Sequence, residues 1–558
     1  MEKRLLLAAA LSIGILVLWE VIVPKPAPPP ATAPAPSAAA PAPTPEAPSA
    51  PAPKGENPPP PVLSATPGII PEVHAEREES ITIEEPLYRA TFSNRGAVLT
   101  SFILKKFDDD QGHPLEMVHQ IPSVPPAFLG LEFGADAAAT KLAASGLYET
   151  TRGHDASGDH LRFRLATEGR SIEKDLTFSG GYVFSVRVAV AGTVEPFSLL
   201  IGPGLRNLSE TERQNRFTNA SGAVYFDGER ARAVPRQKIE TPQTGALPKA
   251  GFAGLEDNYF LAALVSELPA QWKFEPARFG KTDDQVFAGL AGQTELVAKL
   301  FIGPKDLDVL AAPGLHLEET VSFRSLGVNL GPIAKAMIWM LKAAHRYLVP
   351  NWGVAILAVT LVLRLVLFPL MQKSFVGMKK MQKLQPRINV IREKYKKAKL
   401  DAEQRNKMNQ EMMALYQAEG YNPMSGCLPL LLQMPIFLAF YVILQKAIEL
   451  RHAPFYFWIH DLSAKDPTYV LLILMVASMF IQQMMTPSTV DATQRKVFLM
   501  MPLMWGFFLK DMPAGLVLYW LFSNVLTILQ QMIINRMYRD EPAPAPVRGK
   551  IKKSGTRG

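Results

Sequence analysis

Cysteine is almost missing from this chain: Cys427 is the only one in 558 residues, so no intrachain disulfide can form. The nine histidines fall at no HExxH or comparable zinc spacing, and no glycine-rich phosphate loop occurs. Scattered acids and histidines in the first half compose no triad or paired-carboxylate constellation. These absences remove metal, nucleotide and covalent chemistry from the expectation, so no cofactor and no enzymatic activity are expected. A further absence matters more. The apolar runs after Asn351 contain no Asp or Glu, yet one of them contains an arginine, Arg364.

Hydrophobic residues make up 48% of the chain and the mean hydropathy is +0.07, an average of a polar half and a very apolar half. The net charge is +8. Its basic residues cluster beside apolar runs, which is the pattern of membrane topology and not of a DNA-binding surface. Residues 1–23 pair a short basic start with an apolar run. That run reads as an uncleaved signal anchor or a cleaved signal peptide, and Trp19-Glu20 without a small-residue cleavage site favours the anchor. Residues 24–62 are almost all Pro and Ala and predict a semi-rigid tether.

Residues 63–325 carry strand patterning. Tyr182 to Val190 alternates large and small residues, Tyr88 to Ser93 and Leu161 to Leu165 do so more weakly, and Gly and Asn/Asp clusters separate them. The spacing predicts a large antiparallel β-sandwich. Its surface is expected to be simply solvated, or to hold a sugar or peptide cleft. Residues 331–348 place Ile333, Met337, Leu341, Ala344 and Leu348 on one helical face, which predicts an amphipathic helix at a membrane surface.

Asn351 to Met371 is long and apolar enough to span a bilayer. Arg364 lies ~20 Å along it, past the midplane of a ~30 Å core. A charge at such a depth faces a protein interior or wet cavity, or snorkels to headgroups. Thr360 lies one turn earlier on the same face. Residues 373–420 follow with twelve Lys and Arg against five Asp and Glu. Met381, Leu384, Ile388, Ile391 and Tyr395, then Met408, Met412 and Leu415, predict a cytoplasmic helical hairpin with a coiled-coil-like seam. Its charges are a solvated face and topology signal, a dock for anionic lipid, ribosomal RNA or a client protein, or both. Further spans are expected near 427–446, 469–485, 497–509 and 515–534, followed by a basic tail at 536–558. Six spans put both termini and the hairpin in the cytoplasm and the sandwich outside.

Polar residues recur in these spans. Ser523, Thr527 and Gln530 share one face of the last, beside Asn524 and Gln531; Ser478 and Gln482 repeat the spacing in the fourth; Gln433 opens the third. Such residues serve as interhelical glue or as the lining of a hydrated groove around Arg364. An arginine without an internal anion points to a partner from outside.

Several stretches then carry a resemblance: QEMMALYQAEGYNPMSGC (Gln410–Cys427), GCLPLLLQMPIFLAFY (Gly426–Tyr441), WIHDLSAKDP (Trp458–Pro467), PAGLVLYWLFSN (Pro513–Asn524) and LYRATFSNRGAVLTSFILKKF (Leu87–Phe107). Across nearly all the chain outside the tether, it resembles the YidC membrane-protein insertases in their six-span, Gram-negative form. The resemblance implies a multidomain membrane protein. It would join an all-β periplasmic super-sandwich, similar to sugar-mutarotase folds but without their chemistry, to an α-helical transmembrane bundle at 349–535. It places Arg364 as the groove arginine, and Thr360, Met434 and Phe437 as client contacts. Where many relatives have a second tyrosine, this chain has Tyr519-Trp520. The implied function is insertion of nascent membrane proteins into the cell inner membrane, alone or with the Sec translocon (SecYEG and SecDF). A small-solute transporter or channel subunit, and a periplasmic module merely anchored by its spans, are the alternatives the residues leave open.

Overall fold

The computed structural model describes residues 72–537, apart from 122–123, 125–126, 157, 168, 194, 210–211, 213–221, 280–282, 326–327, 396–401, 420–427 and 486–491. The expected anchor at 1–23, the tether at 24–62 and the tail beyond Met537 lie outside the described residues.

The first half is an antiparallel sandwich. A nine-stranded sheet runs in the order 231–235, 222–226, 252–256, 260–266, 295–304, 183–191, 170–178, 158–167, 149–155. A five-stranded sheet (243–247, 270–279, 283–292, 197–201, 130–132) and a four-stranded sheet (80–84, 88–93, 98–108, 114–116) complete it. The alternating stretch forms the strand Val183–Ala191, in which Phe184, Val186, Val188 and Val190 point into the core while Ser185 and Arg187 face out. The strand Phe260–Ser266 is buried along its whole length, as expected of a strand covered on both faces.

Buried cations help hold this half together, Lys174 and Arg206 among them. Lys174 is fully buried, and its ammonium donates to the carbonyls of Gly96, Ala97 and Leu129 at 2.9, 3.0 and 2.7 Å. Three N–H groups meet three acceptors, which is what a buried ammonium requires. Burial still pulls its pKa down to about 7. Arg206, also buried, donates to Asp257 at 2.5 Å and through both terminal nitrogens to Glu212 at 2.9 Å. Burial would raise Glu212, but the Arg206 hydrogen bonds and the charges of Arg206 and Arg451 outweigh it and hold the carboxyl at about 2.

The second half is helical: α1 (Gly331–Tyr347), α2 (Trp352–Lys394), α3 (Ala402–Ala418), α4 (Leu428–Lys446), α5 (Val470–Met485), α6 (Ala492–Leu509) and α7 (Ala514–Met537). Two of these are long and apolar enough to cross a bilayer, Trp352–Met378 within α2 and Ala514–Met537; Leu432–Lys446, Val470–Met485 and Phe498–Leu509 are shorter apolar helices. The halves are knitted together. Arg451 donates to the Asp108 carbonyl at 2.8 Å and lies 3.6 Å from Glu212, His452 meets Asp110 at 2.9 Å, and Lys446 donates to the Ser322 carbonyl at 2.6 Å.

Two elements differ from expectation. The span does not stop at Met371. Helix α2 runs unbroken for 43 residues through Pro369 and Pro386 and forms the first arm of the basic hairpin. A proline removes one backbone N–H and leaves the carbonyl four residues earlier without its helical donor, a local loss that the rest of a long helix tolerates. Met381, Leu384 and Ile388 of this arm pack on Met412, Leu415 and Tyr416 of α3, and Arg387–Glu419 (2.6 Å) and Lys394–Glu411 (2.5 Å) staple the arms.

Helix α1 buries Ala334, Met337, Ile338 and Leu341, whereas Ile333 and Leu348 are exposed. Its buried face therefore belongs to the protein core, against α2 and α4. Lys342 on its flank is tied to Asp306, Asp308 and Glu449 at 3.4, 2.6 and 2.9 Å. Exposed Trp339, Tyr347 and Leu348 lie outside that packed face.

Candidate functional site

Helix α2 is started by Asn351, whose side chain accepts from the Val354 N–H at 3.1 Å and donates to the Pro454 carbonyl at 3.3 Å. Leu361, Val362, Leu365 and Val366 are exposed on one side of it. Arg364 turns the other way. It is half-buried, and its guanidinium donates to the Ser523 hydroxyl of α7. Among the described residues no carboxylate pairs with it, so its observed partner is a neutral hydroxyl.

The α7 stripe is buried along Ser523, Asn524, Thr527, Gln530 and Gln531, but it does not face one shared space. Ser523, Thr527 and Gln530 run along the α2 side. The Thr527 hydroxyl donates to the Ser523 carbonyl at 2.8 Å, and the Gln530 amide reaches the Phe368 carbonyl at 3.5 Å. Asn524 instead donates to the Ser478 hydroxyl of α5 at 2.9 Å. That pair is interhelical glue, and the Ser478 hydroxyl donates its own proton to the Met475 carbonyl at 2.6 Å.

From α4, the Gln433 amide donates to the Tyr519 hydroxyl. The Tyr519 ring is buried and stacks on Phe440 with centroids 4.3 Å apart. Tyr519 is therefore anchored in the core, one turn before Ser523, and contributes its hydroxyl rather than an open ring. Phe437 meets Trp520 edge-on at 4.8 Å, and Trp520 lies 5.6 Å from Trp505 of α6. Met434 is exposed beside them on α4. Thr360 is buried and its hydroxyl donates to the Ile356 carbonyl of its own helix at 2.6 Å, so it does not share the Arg364 contact.

The residues thus separate into a polar seam and an apolar edge. Arg364, Ser523, Thr527 and Gln530 form the seam between α2 and α7, and Gln433 with Tyr519 extends it toward α4. Met434, Phe437, Trp520 and Trp505 form the edge. Trp505 was not among the expected residues; it lies in the short fifth apolar run, where a lone tryptophan gives no sign of its neighbour. A separate recess of about 400 Å³ lies between α5 and α7 and is lined by apolar side chains such as Leu474, Ile481, Leu518 and Phe522. It does not include Arg364.

This seam can do electrostatic work without bond-making. A guanidinium offers five N–H donors in a planar fork that suits a carboxylate. Placed between apolar helices, it attracts an anion more strongly than it would in water. Among the described residues no group of three or more His, Cys, Asp or Glu side chains could hold a metal.

Two family models match the chain. One, described as 60Kd inner membrane protein, covers residues 344–541, and the other, described as YidC periplasmic domain, covers residues 80–340. The membrane protein insertase YidC of Syntrophus aciditrophicus is 34% identical over 556 residues, covering 96% of this chain and 100% of that protein. The namesake from Geobacter sp. strain M21 is 36% identical over 479 residues, covering 82% and 86%. Among solved structures, an active YidC insertase crystal structure with the first transmembrane domain resolved aligns at a TM-score of 0.36 and 17% identity, covering 83% of this chain and 94% of that one.

Proposed function

The chain belongs to the YidC membrane-protein insertase family, and on that premise we propose that it inserts nascent membrane proteins by lending the Arg364 guanidinium to an acidic group of each client. The observation that carries this reading is a cation in an apolar helix whose described partner is a neutral hydroxyl. A client carboxylate completes the pair and then leaves. At ~4 Å and an effective dielectric of ~20, the attraction is at most about 4 kcal/mol before desolvation. Such a contact forms and releases readily. The inside-negative membrane potential favours outward passage of the acid by ~2.3 kcal/mol per charge per 100 mV.

The apolar part of the client passes Met434, Phe437 and Trp520, where a flexible thioether and large rings adapt to varied side chains. Thr527, Gln530 and Gln433 supply hydrogen-bonding groups along the polar path. No covalent step is involved, and the protein acts as an insertase and chaperone rather than an enzyme. It lies in the inner membrane with the sandwich on the periplasmic side and both termini in the cytoplasm. The domain limits in this reading are 1–23 anchor, 24–62 tether, 63–325 sandwich, 331–348 a helix at the membrane surface whose apolar face packs on the core, 349–535 core and 536–558 tail. The basic hairpin and tail meet anionic lipid and the ribosome, and some clients arrive through the Sec translocon. A small-solute transporter or channel subunit finds no support, since the relatives above carry the insertase name.

Site-specific crosslinking from Phe437 and Trp520 during translation tests the reading. Labelled nascent membrane proteins should be captured at both positions. Capture of neither, in membranes that still insert clients, would refute it.

A further inference from the structure

The segment between α4 and α5 holds its aromatic tip in an unusual way. Residues 455–459 close on themselves: the Phe455 N–H donates to the Ile459 carbonyl at 2.9 Å and the Ile459 N–H returns to the Tyr456 carbonyl at 3.4 Å. Below the tip, the loop is fastened to three helix starts. The Phe455 ring lies against Gly353 in the first turn of α2, so closely that a Cβ there would sit 2.0 Å from Phe455 Cδ2. Asn351, the cap of α2, donates to the Pro454 carbonyl. The Gly515 N–H of α7 donates to the Leu462 carbonyl at 2.9 Å, and Asp466 accepts from the Leu471 N–H of α5 at 2.8 Å.

What this frame presents is Phe457, 87% exposed and at φ +62, beside Tyr456 at 51%. A bulky residue in the left-handed region is strained, and an exposed phenylalanine gains nothing in water. Both costs are recovered if the ring is buried elsewhere. The tip lies at the same end as the starts of α2, α5 and α7. Tyr347 (76% exposed) and Leu348 precede the α2 start, and exposed Tyr469 precedes α5. Aromatic side chains collect where apolar spans meet headgroups.

We propose that Tyr456 and Phe457 form a rigid wedge that enters the outer leaflet and, with Tyr347, Leu348 and Tyr469, fixes the height of the helical core in the bilayer. The occupant is the glycerol and upper acyl zone of the lipid, because the wedge is continuous with the starts of helices whose exposed faces are apolar. The inference rests on the topology proposed above, which puts this loop outside.

The test uses the full chain with Cys427→Ser, a spin label at Tyr456→Cys, and reconstitution in phosphatidylethanolamine–phosphatidylglycerol vesicles. Labels at Leu268→Cys, exposed on the sandwich, and Leu365→Cys, exposed on α2, give the aqueous and lipid references. The expected result is loss of access to an aqueous nickel reagent at 456, with oxygen access close to that at 365. Adding Phe457→Gly, which suits φ +62 and keeps the turn, should restore nickel access at 456. Nickel access at 456 equal to that at 268, or spin–spin broadening from a second copy covering the tip, overturns the wedge. If client insertion is intact in the same vesicles, only the wedge is lost. Nickel access at 365 would instead overturn the spanning topology beneath it.

Discussion

Replacing Arg364 by alanine should slow the insertion of clients that carry an acid in the translocated segment, and should do little to clients without one. The size follows from the site. The ceiling is about 4 kcal/mol for an ion pair at ~4 Å and an effective dielectric of ~20. Against it stand the Ser523 hydrogen bond that Arg364 gives up, worth ~1 kcal/mol net, and the cost of drying the client carboxylate, of similar size or more. What is left is ~1–2 kcal/mol, or about 5–30-fold in capture. Arg364→Lys keeps the charge but loses the planar fork, so it should restore only part. The assay is protease protection of an acidic-tailed client in energised proteoliposomes, run beside the same client with its acid changed to the amide. The reasoning is refuted if the alanine form inserts the acidic client at the wild-type rate, or if both clients lose equally.

Other expectations follow from particular side chains. Lys174→Met leaves three buried carbonyls without a donor and should cost the sandwich roughly 3 kcal/mol, read as a fall in its thermal midpoint. With its pKa pulled to about 7, well below the unfolded value of 10.5, the unfolded chain binds the extra proton between these limits. Lys174 should therefore make the native sandwich gain stability as pH rises from 7 to 10, and the Met variant should lose that slope. Glu212 acts in the same sense, in a lower pH window. Held at about 2 against an ordinary 4.5, it contributes stability that is complete above pH 4.5 and lost toward pH 2, roughly 3 kcal/mol in all. Acid titration of unfolding with Glu212→Gln should show a shallower loss in that window. Thr360→Val removes a hydroxyl bonded only within its own helix and should leave the insertion rate within about twofold; a large defect would return Thr360 to the client path.

The β alternation in Tyr182 to Val190 was legible because a sheet covered on one face writes its period of two into consecutive residues. The last four apolar runs were legible too, since length and composition suffice for them. Helix α2 was not, because the sudden charge density after Met371 reads locally as the end of the span, and only the intact helix across it shows otherwise. Arg364 stood out by its lack of an anion. Its partner Ser523 is 159 positions away, and the sequence offered the whole α7 stripe without saying that Asn524 is spent on Ser478. Lys174 and Arg206 escaped notice for the same reason. Their acceptors lie 45 to 78 and 6 to 51 residues distant, and nothing local marks a lysine or arginine as buried.

The most direct measurement places a cysteine at Ser523, beside the Arg364 guanidinium, in a Cys427→Ser chain, and another next to the acid of a stalled client. Disulfide yield is then read with that client residue as Asp and as Asn. The account predicts a strong crosslink with Asp and a yield ~10-fold lower with Asn, about 1.4 kcal/mol of charge-dependent capture. Equal yields with Asp and Asn would contradict it.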